Sequence, residues 1–101
     1  FELDSSNMPI LNGALDYANM GLIPKGCYDN KKFVGNNYIL ENEIDESLLN
    51  VMFNPETSGG LLITVPENEV EDILEKLKEI PTRFAVIGKV VEKSEKYLTI
   101  K

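Results

Sequence analysis

LLITVPENEVEDILEKLKEIP, residues 61–81, places an apolar run directly before a stretch with helical periodicity. The run at 61–65 is almost continuously apolar, which predicts a central strand that is covered on both faces. Within residues 66–81, apolar side chains recur at i, i+3, i+4, i+7 and i+10, which predicts an amphipathic helix held on the sheet. These side chains are Val70, Ile73, Leu74, Leu77 and Ile80.

Strand-like segments flank this unit on both sides. FAVIGKVVE (84–92) and KYLTIK (96–101) predict two strands that a polar turn at 93–95 joins into a closing hairpin. Gly88 lies inside the first of them, where a glycine indicates a bulge or a close approach of another backbone. FEL (1–3) and NYIL (37–40) predict two shorter strands.

The remaining segments predict two helices and a long loop. A helix is expected from about Leu11 to Met20, with Asn7 as a candidate cap for its start and Gly21 at its left-handed end. A second helix, DESLLNVMF, is capped by Asp45. Turn-forming residues fill 22–37, which predicts a structured loop with room for one helical turn. The predicted fold class is α+β, with a mixed or antiparallel sheet and helices packed on it.

Composition limits the classes of function. The chain has 101 residues, which is enough for a single domain at 1–101, and 43% of them are hydrophobic. No apolar run reaches the ~20 residues that a membrane span needs, and a net charge of −7 disfavours nucleic acid as a partner. We therefore expect no membrane and no nucleic-acid partner. One cysteine cannot form an internal disulfide, and we expect a cytoplasmic protein.

The sequence also predicts that the chain is a fragment without catalysis of its own. It begins at Phe1 with strand character and no preceding turn, as if cut within a larger structure. It has no histidine and one cysteine, so it lacks a histidine acid–base pair or a Cys/His zinc site. No catalytic residue and no metal ligand is assigned.

A glycine-rich loop, NPETSGG at 54–60, is the candidate binding site. Adjacent glycines can adopt backbone angles that direct successive N–H groups toward one anion, and hydroxyl groups add donors. The candidate residues are Asn54, Thr57, Ser58, Gly59 and Gly60. No lysine or arginine lies in the motif and a strand is expected to follow, so this is not a P-loop. The alternative is a sharp structural turn into the strand at 61–65.

Two other features have plain structural interpretations. Cys27 lies near Lys25, which could lower the pKa of the thiol, but a packed or exposed unreactive thiol is the favoured interpretation. The acidic residues of the 66–81 helix are interpreted as a solvated face and not as a metal site.

The motifs resemble those of a known family. NPETSGGLLITV is similar to the D-P-Q-T-S-G-G-L-L segment of selenophosphate synthetase (selenide, water dikinase). MPILNGALDYANMGLIPKGCYDN resembles the family's P-L-L-x-G-A helix and G-x-x-P-G-G-T-x-x-N loop, and FAVIGKVVE its I-G-x-V strand. Four positions depart from the pattern: Lys25 replaces a glycine, Cys27 a threonine, and Asn54 and Glu56 replace aspartate and glutamine.

The resemblance implies that the chain is most of the C-terminal domain of a two-domain enzyme related to aminoimidazole ribonucleotide synthetase. Such an enzyme makes selenophosphate, AMP and phosphate from selenide, ATP and water, with Mg²⁺. The family's catalytic Cys or selenocysteine, its Lys and its Mg-ATP aspartates belong to the N-terminal domain, which is the expected partner. A homodimer of the full-length protein is expected, and the fragment alone should be inactive and hold no cofactor. A free-standing interaction module, or the same domain of a related ATP-dependent synthetase, is the alternative.

Overall fold

The chain folds into a four-stranded mixed sheet with four α-helices, in a computed structural model that describes residues 1–101. The strands are β1 (Glu2–Leu3), β2 (Tyr38–Leu40), β3 (Gly88–Lys89) and β4 (Leu98–Ile100). The helices are α1 (Ala14–Asn19), α2 (Lys25–Val34), α3 (Glu46–Met52) and α4 (Val70–Leu77), and short 3₁₀ turns occupy Ser5–Asn7 and Glu67–Glu69. The predicted α+β class is confirmed.

The strand order is β2-β4-β1-β3, which corrects the predicted closing hairpin. β1 lies between β3 and β4, antiparallel to the first and parallel to the second, and β2 is parallel to β4. The first strand of the chain therefore separates the two that were expected to pair. The close approach expected at Gly88 is confirmed, since a Cβ atom there would lie 2.0 Å from the backbone oxygen of Glu2.

Two of the helices follow their predicted signals. Asp45 caps α3 by accepting a hydrogen bond from the backbone N–H of Leu48 at 3.1 Å. α1 is shorter than expected, because it starts after Gly13, whose φ of 83° places it in the left-handed region. Asn7 belongs to a separate 3₁₀ turn and does not cap α1. The left-handed end at Gly21 is confirmed by its φ of 80°.

The predicted loop at 22–37 is wrong, because ten of its residues form α2. Pro24 stands at the N-cap, where its fixed φ and missing N–H cost the helix nothing. Gly35 ends the helix at a φ of 57°. Lys25 and Asp29 form an i,i+4 ion pair at 2.5 Å along the exposed side. Only Cys27 is buried, so the helix carries little of the apolar periodicity that would predict it.

The central strand expected at 61–65 is also absent. Residues 55–65 make no backbone–backbone hydrogen bond, and the four strands of the sheet lie elsewhere. The side chains of Leu61, Leu62 and Ile63 are 89%, 71% and 58% exposed. An apolar run becomes a buried strand only where neighbouring strands supply hydrogen bonds and cover, and residues 1–101 supply neither here.

The amphipathic helix is present as α4, but none of its residues is buried. Its apolar side chains are half-buried, and Ile80, beyond its end, is exposed. The prediction that this helix is held on the sheet is therefore wrong for residues 1–101, because the strand that should lie beneath it does not form.

The surface of the chain is large for its mass. Only four hydrophobic residues are buried, and they are Ala18, Cys27, Leu49 and Ile100. The accessible surface is 7951 Å², whereas a folded monomer of 11.3 kDa exposes about 5,700 Å². Eighteen large hydrophobic residues are exposed on this surface. No helix has the length and apolar character needed to cross a bilayer.

Candidate functional site

The loop 54–60 leaves the C-terminal end of α3 and leads into the exposed apolar run. Phe53 closes the helix, with its N–H bonded to the backbone oxygens of Leu49 and Asn50 at 3.2 Å. The N–H of Asn54 is bonded to Val51 O at 3.0 Å. From residue 55 onward these helical bonds stop, so the loop is anchored at its first residue and free beyond it.

The backbone N–H groups of 57–60 have no partner within the chain. Thr57 and Ser58 form a turn, but none of the backbone N–H groups of 57–60 makes a hydrogen bond of good geometry to a backbone or side-chain acceptor. All four residues are exposed, so these donors face solvent. The amides of 61–65 are equally free, which means that open amides extend past the glycine pair. Loop 54–60 can therefore offer several donors to a ligand or to another part of a protein.

The unusual backbone angle lies on Ser58 and not on the glycines. Ser58 has a φ of 57°, the only positive φ at a non-glycine residue in the chain, whereas Gly59 and Gly60 have no positive φ. The expectation that the glycine pair adopts angles closed to other residues is therefore wrong. A left-handed non-glycine residue costs on the order of 1–3 kcal/mol and occurs preferentially at functional sites.

The two glycines differ in their surroundings. A Cβ atom on Gly59 would lie 3.1 Å from Oε2 and 3.2 Å from Cβ of Glu56, so that glycine permits a tight turn over the Glu56 side chain. A Cβ atom on Gly60 would meet nothing within 4 Å. The space beside Gly60 is open to an incoming group.

Helix α2 contacts the start of the loop. Nδ2 of Asn30 donates a hydrogen bond to the backbone oxygen of Phe53 at 2.9 Å. Sγ of Cys27 lies 3.7 Å from Oδ1 of Asn54, within hydrogen-bond distance for sulfur. Burial raises the pKa of the Cys27 thiol, so it stays protonated and can donate. The interpretation of Cys27 as a packed, unreactive thiol fits this environment.

Charged groups are sparse around the loop. Glu56 accepts a hydrogen bond from Nδ2 of Asn54 at 3.4 Å. No group of three or more His, Cys, Asp or Glu side chains converges anywhere in the chain. Two shallow surface depressions lie elsewhere, one beside Tyr38 and Lys96 and one beside Asp4 and Lys101. The anion-binding capacity of the loop therefore comes from neutral N–H and O–H donors.

A cluster of charged side chains lies at the sheet and not at the candidate site. The carboxylate of Glu2 lies 3.1 Å from Nζ of Lys101 and 3.2 Å from Nζ of Lys89, and Lys101 also pairs with Glu41. The two lysines, Lys101 foremost, hold the pKa of Glu2 below its ordinary value. Glu2, in turn, raises the pKa of Lys101. These ion pairs join β1 to β3 and β4.

The fold and the loop together define an α+β domain in which an open Gly-rich loop follows a capped helix. The chain belongs to the family described as AIR synthase related protein, C-terminal domain, which it matches over residues 2–101.

Named relatives share one description. The chain is 38% identical over 100 residues to "Selenide, water dikinase" of Clostridium botulinum (strain Alaska E43 / Type E3), covering 99% of this chain and 29% of the relative. It is 42% identical over 95 residues to the protein of that name from Caldanaerobacter subterraneus subsp. tengcongensis, covering 93% and 27%. The Campylobacter jejuni (serotype O:2) protein is 39% identical over 100 residues, covering 99% and 28%. The chain spans less than a third of the length of these relatives.

Sequence reasoning identified the loop but missed the helix that holds it. Gly26, Cys27 and Asn30 all contact residues 53–55, and the sequence placed them in a loop. The helix signals were Pro24 before the segment, paired lysines in its last turn and Gly35 after it. Those signals predict α2 even though its apolar pattern does not.

Proposed function

We propose that the chain is the C-terminal part of an ATP-dependent selenophosphate synthetase, and that its loop 54–60 contacts the phosphates of the bound nucleotide. The reaction is the conversion of selenide, ATP and water to selenophosphate, AMP and phosphate. The chain contributes one wall of the nucleotide cleft, and the reacting groups come from the rest of the enzyme. The related proteins carry the name selenide, water dikinase, which supports this assignment.

The observation that carries the proposal is the set of free donors at 57–60. Four consecutive N–H groups without partners, and the hydroxyls of Thr57 and Ser58, are exposed on a loop in which Ser58 has a left-handed backbone conformation. Phosphate oxygens accept hydrogen bonds from such donors, and bonds to charged acceptors are stronger than neutral ones. The open space beside Gly60 admits the anion to the backbone.

The residues present fit ATP and do not fit Mg²⁺. A phosphate group suits the neutral donors of the loop, whereas Mg²⁺ prefers oxygen ligands in octahedral geometry. No cluster of carboxylates lies in the chain to supply them. We therefore assign Mg²⁺, which would neutralise phosphate charge during the reaction, to residues of the rest of the enzyme.

The partner in this proposal is the remainder of the same enzyme. Leu61, Leu62 and Ile63 are consecutive exposed apolar residues, and isolated domains seldom leave such a stretch in water. No residue of α4 is fully buried either. An accessible surface about 2,200 Å² larger than expected is enough for a standard interface. A homodimer of the full-length protein, in the cytoplasm, completes the proposal.

Substitution of the two hydroxyl residues in the full-length enzyme tests the role of the loop. Thr57→Ala and Ser58→Ala each remove one donor to phosphate. Loss of a hydrogen bond to a charged group costs about 1.5–3 kcal/mol, so KM for ATP or kcat/KM should change by about 10- to 150-fold. Thr82→Ala is the matched control, because Thr82 is exposed and outside the loop. Unchanged ATP kinetics in both loop variants would refute the contacts of the two hydroxyls with phosphate.

A second test compares the activity of the isolated chain with that of the chain mixed with the rest of the enzyme. The isolated 101-residue chain should neither hydrolyse ATP nor make selenophosphate, since phosphoryl transfer needs metal, cations and nucleophile together. The assay measures phosphate release by the chain alone and by the chain mixed with the rest of the enzyme. Steady turnover by the chain alone would contradict the proposal.

A further inference from the structure

The start of loop 54–60 is held by one face of α2. Residues 26, 27 and 30 lie on this face, and they meet residues 55, 54 and 53 in that order. The helix therefore runs antiparallel to the start of the loop, with one contact at each of three consecutive residues. Three contacts in register fix both the position and the direction of a short segment.

The first contact is steric. A Cβ atom on Gly26 would lie 3.0 Å from Cβ of Pro55 and 2.6 Å from its Cγ, and the second distance is shorter than real Cβ atoms show. Only a glycine lets the first turn of α2 lie directly on the proline ring. The rigid proline ring then sets the path of the chain into residue 56.

The second and third contacts are hydrogen bonds. The Cys27 thiol, 1% exposed, lies against the side chain of Asn54, and Asn30 donates to the backbone oxygen of Phe53. Residues 55–60 have no backbone hydrogen bonds of their own. The direction in which the loop leaves α3 is therefore set by the contacts with α2 and by the bond from Asn54 N–H to Val51 O, and not by bonds within residues 55–60.

We infer that Gly26, Cys27 and Asn30 are positioning residues, here called the α2 clamp, which hold loop 54–60 in the orientation that receives the nucleotide phosphates. This inference rests on the proposed function for its ligand and on the contacts with residues 53–55 for its geometry. The clamp residues do not touch the phosphates. They act through Asn54 and Pro55 on the donors at 57–60.

Alkylation of Cys27 reports on the clamp directly, because the thiol is buried and lies 3.7 Å from Oδ1 of Asn54, in the segment that the clamp holds. The experiment uses the full-length enzyme, iodoacetamide, and peptide-resolved mass spectrometry to follow Cys27 apart from other cysteines. Asn30→Asp keeps the size of the side chain and removes its ability to donate to Phe53. The alkylation rate of Cys27 should rise by about 2- to 13-fold, the factor that corresponds to one hydrogen bond. Lys32→Ala, on an exposed position of the same helix, should leave the rate unchanged.

A kinetic readout separates positioning from mere stability. In Asn30→Asp, KM for ATP should rise by a similar factor while kcat changes less than 2-fold, and Lys32→Ala should match the wild type. Gly26→Ala, which displaces Pro55 by a different contact, should have the same two effects. An unchanged Cys27 alkylation rate in both Asn30→Asp and Gly26→Ala would overturn the clamp.

The two readouts also distinguish the clamp from the function on which it rests. If alkylation rises in both variants while KM for ATP stays at the wild-type value, α2 holds the loop but the loop does not bind nucleotide. That outcome supports the clamp as a contact and refutes the phosphate role of the loop. A joint rise of both quantities supports the whole inference.

Discussion

Gly88→Ala tests the sheet that organises the domain. A methyl group at this position would lie 2.0 Å from the backbone oxygen of Glu2 and 3.0 Å from Cα of Leu3. Both are backbone atoms of β1, so no side-chain rotation relieves the contact. β3 must move away from β1, which breaks the pairing of Leu3 with Gly88 and the hydrogen bond from Asp4 N to Ile87 O at 2.8 Å.

The expected cost follows from these contacts. Two or three backbone hydrogen bonds at about 0.5–1.5 kcal/mol each correspond to about 1–4.5 kcal/mol. The gain from reducing the freedom of the unfolded chain, about 0.4–1 kcal/mol for Gly to Ala, offsets part of it. The middle of these two ranges gives a net destabilisation of about 2 kcal/mol, measured as the change in free energy of unfolding by urea denaturation with far-UV circular dichroism.

A matched glycine substitution supplies the control. Gly60→Ala places the same methyl group where nothing lies within 4 Å and where φ is not positive. Its stability should equal or slightly exceed that of the wild type, by up to about 1 kcal/mol. If Gly88→Ala is as stable as Gly60→Ala, the close approach of β1 and β3 is refuted.

Three further predictions concern the cap, the charges and the apolar surface. Asp45→Ala should lower the free energy of unfolding by about 0.5–2 kcal/mol through loss of the α3 cap, measured by urea denaturation. Lys101 and Lys89 lower the pKa of Glu2 from its ordinary value of 4.5. The contribution of Glu2 to the free energy of unfolding is therefore fully present above pH 4.5 and is lost as the pH falls through the lowered pKa. In Glu2→Gln, the stability measured by thermal melting should no longer show this decrease at low pH. The isolated chain should self-associate, measured by analytical ultracentrifugation, or bind a fluorescent dye for apolar surfaces. Leu62→Asp should reduce both self-association and dye binding. A monomer that binds no dye would contradict this prediction.

Local signals predicted the elements that depend on local interactions. Asp45 predicted the start of α3, Gly21 the end of α1, and the spacing of apolar residues predicted α4. Each of these depends on contacts within a few residues of the chain. The close approach at Gly88 was also predictable, because a glycine inside a strand pattern commonly marks a bulge or a backbone that passes nearby.

Elements that depend on distant partners were not predictable from local pattern. Two strands near the end of the chain normally pair as a hairpin, but here β1 separates them, and its pairing spans almost the whole sequence. The run 61–65 has the composition of a central strand, but composition cannot supply the neighbouring strands that it requires. α2 was missed because a helix that buries only Cys27 has almost no apolar period.

The open amides of the candidate loop were predicted correctly, but the residue that adopts the unusual backbone angle was not. The left-handed conformation falls on Ser58, while the glycines provide a tight turn and an open approach. A sequence shows which residues tolerate an unusual backbone angle, but not which one adopts it.

The central claim is that the free amides of the loop bind the nucleotide phosphates. The most direct test is a ¹⁵N–¹H TROSY titration of the labelled full-length enzyme with Mg²⁺ and a non-hydrolysable ATP analogue. We expect the amide resonances of Ser58, Gly59 and Gly60 to shift with the same saturation curve as nucleotide binding, because these N–H groups have no other partner. Resonances of these three residues that stay unshifted at saturating nucleotide would contradict the account.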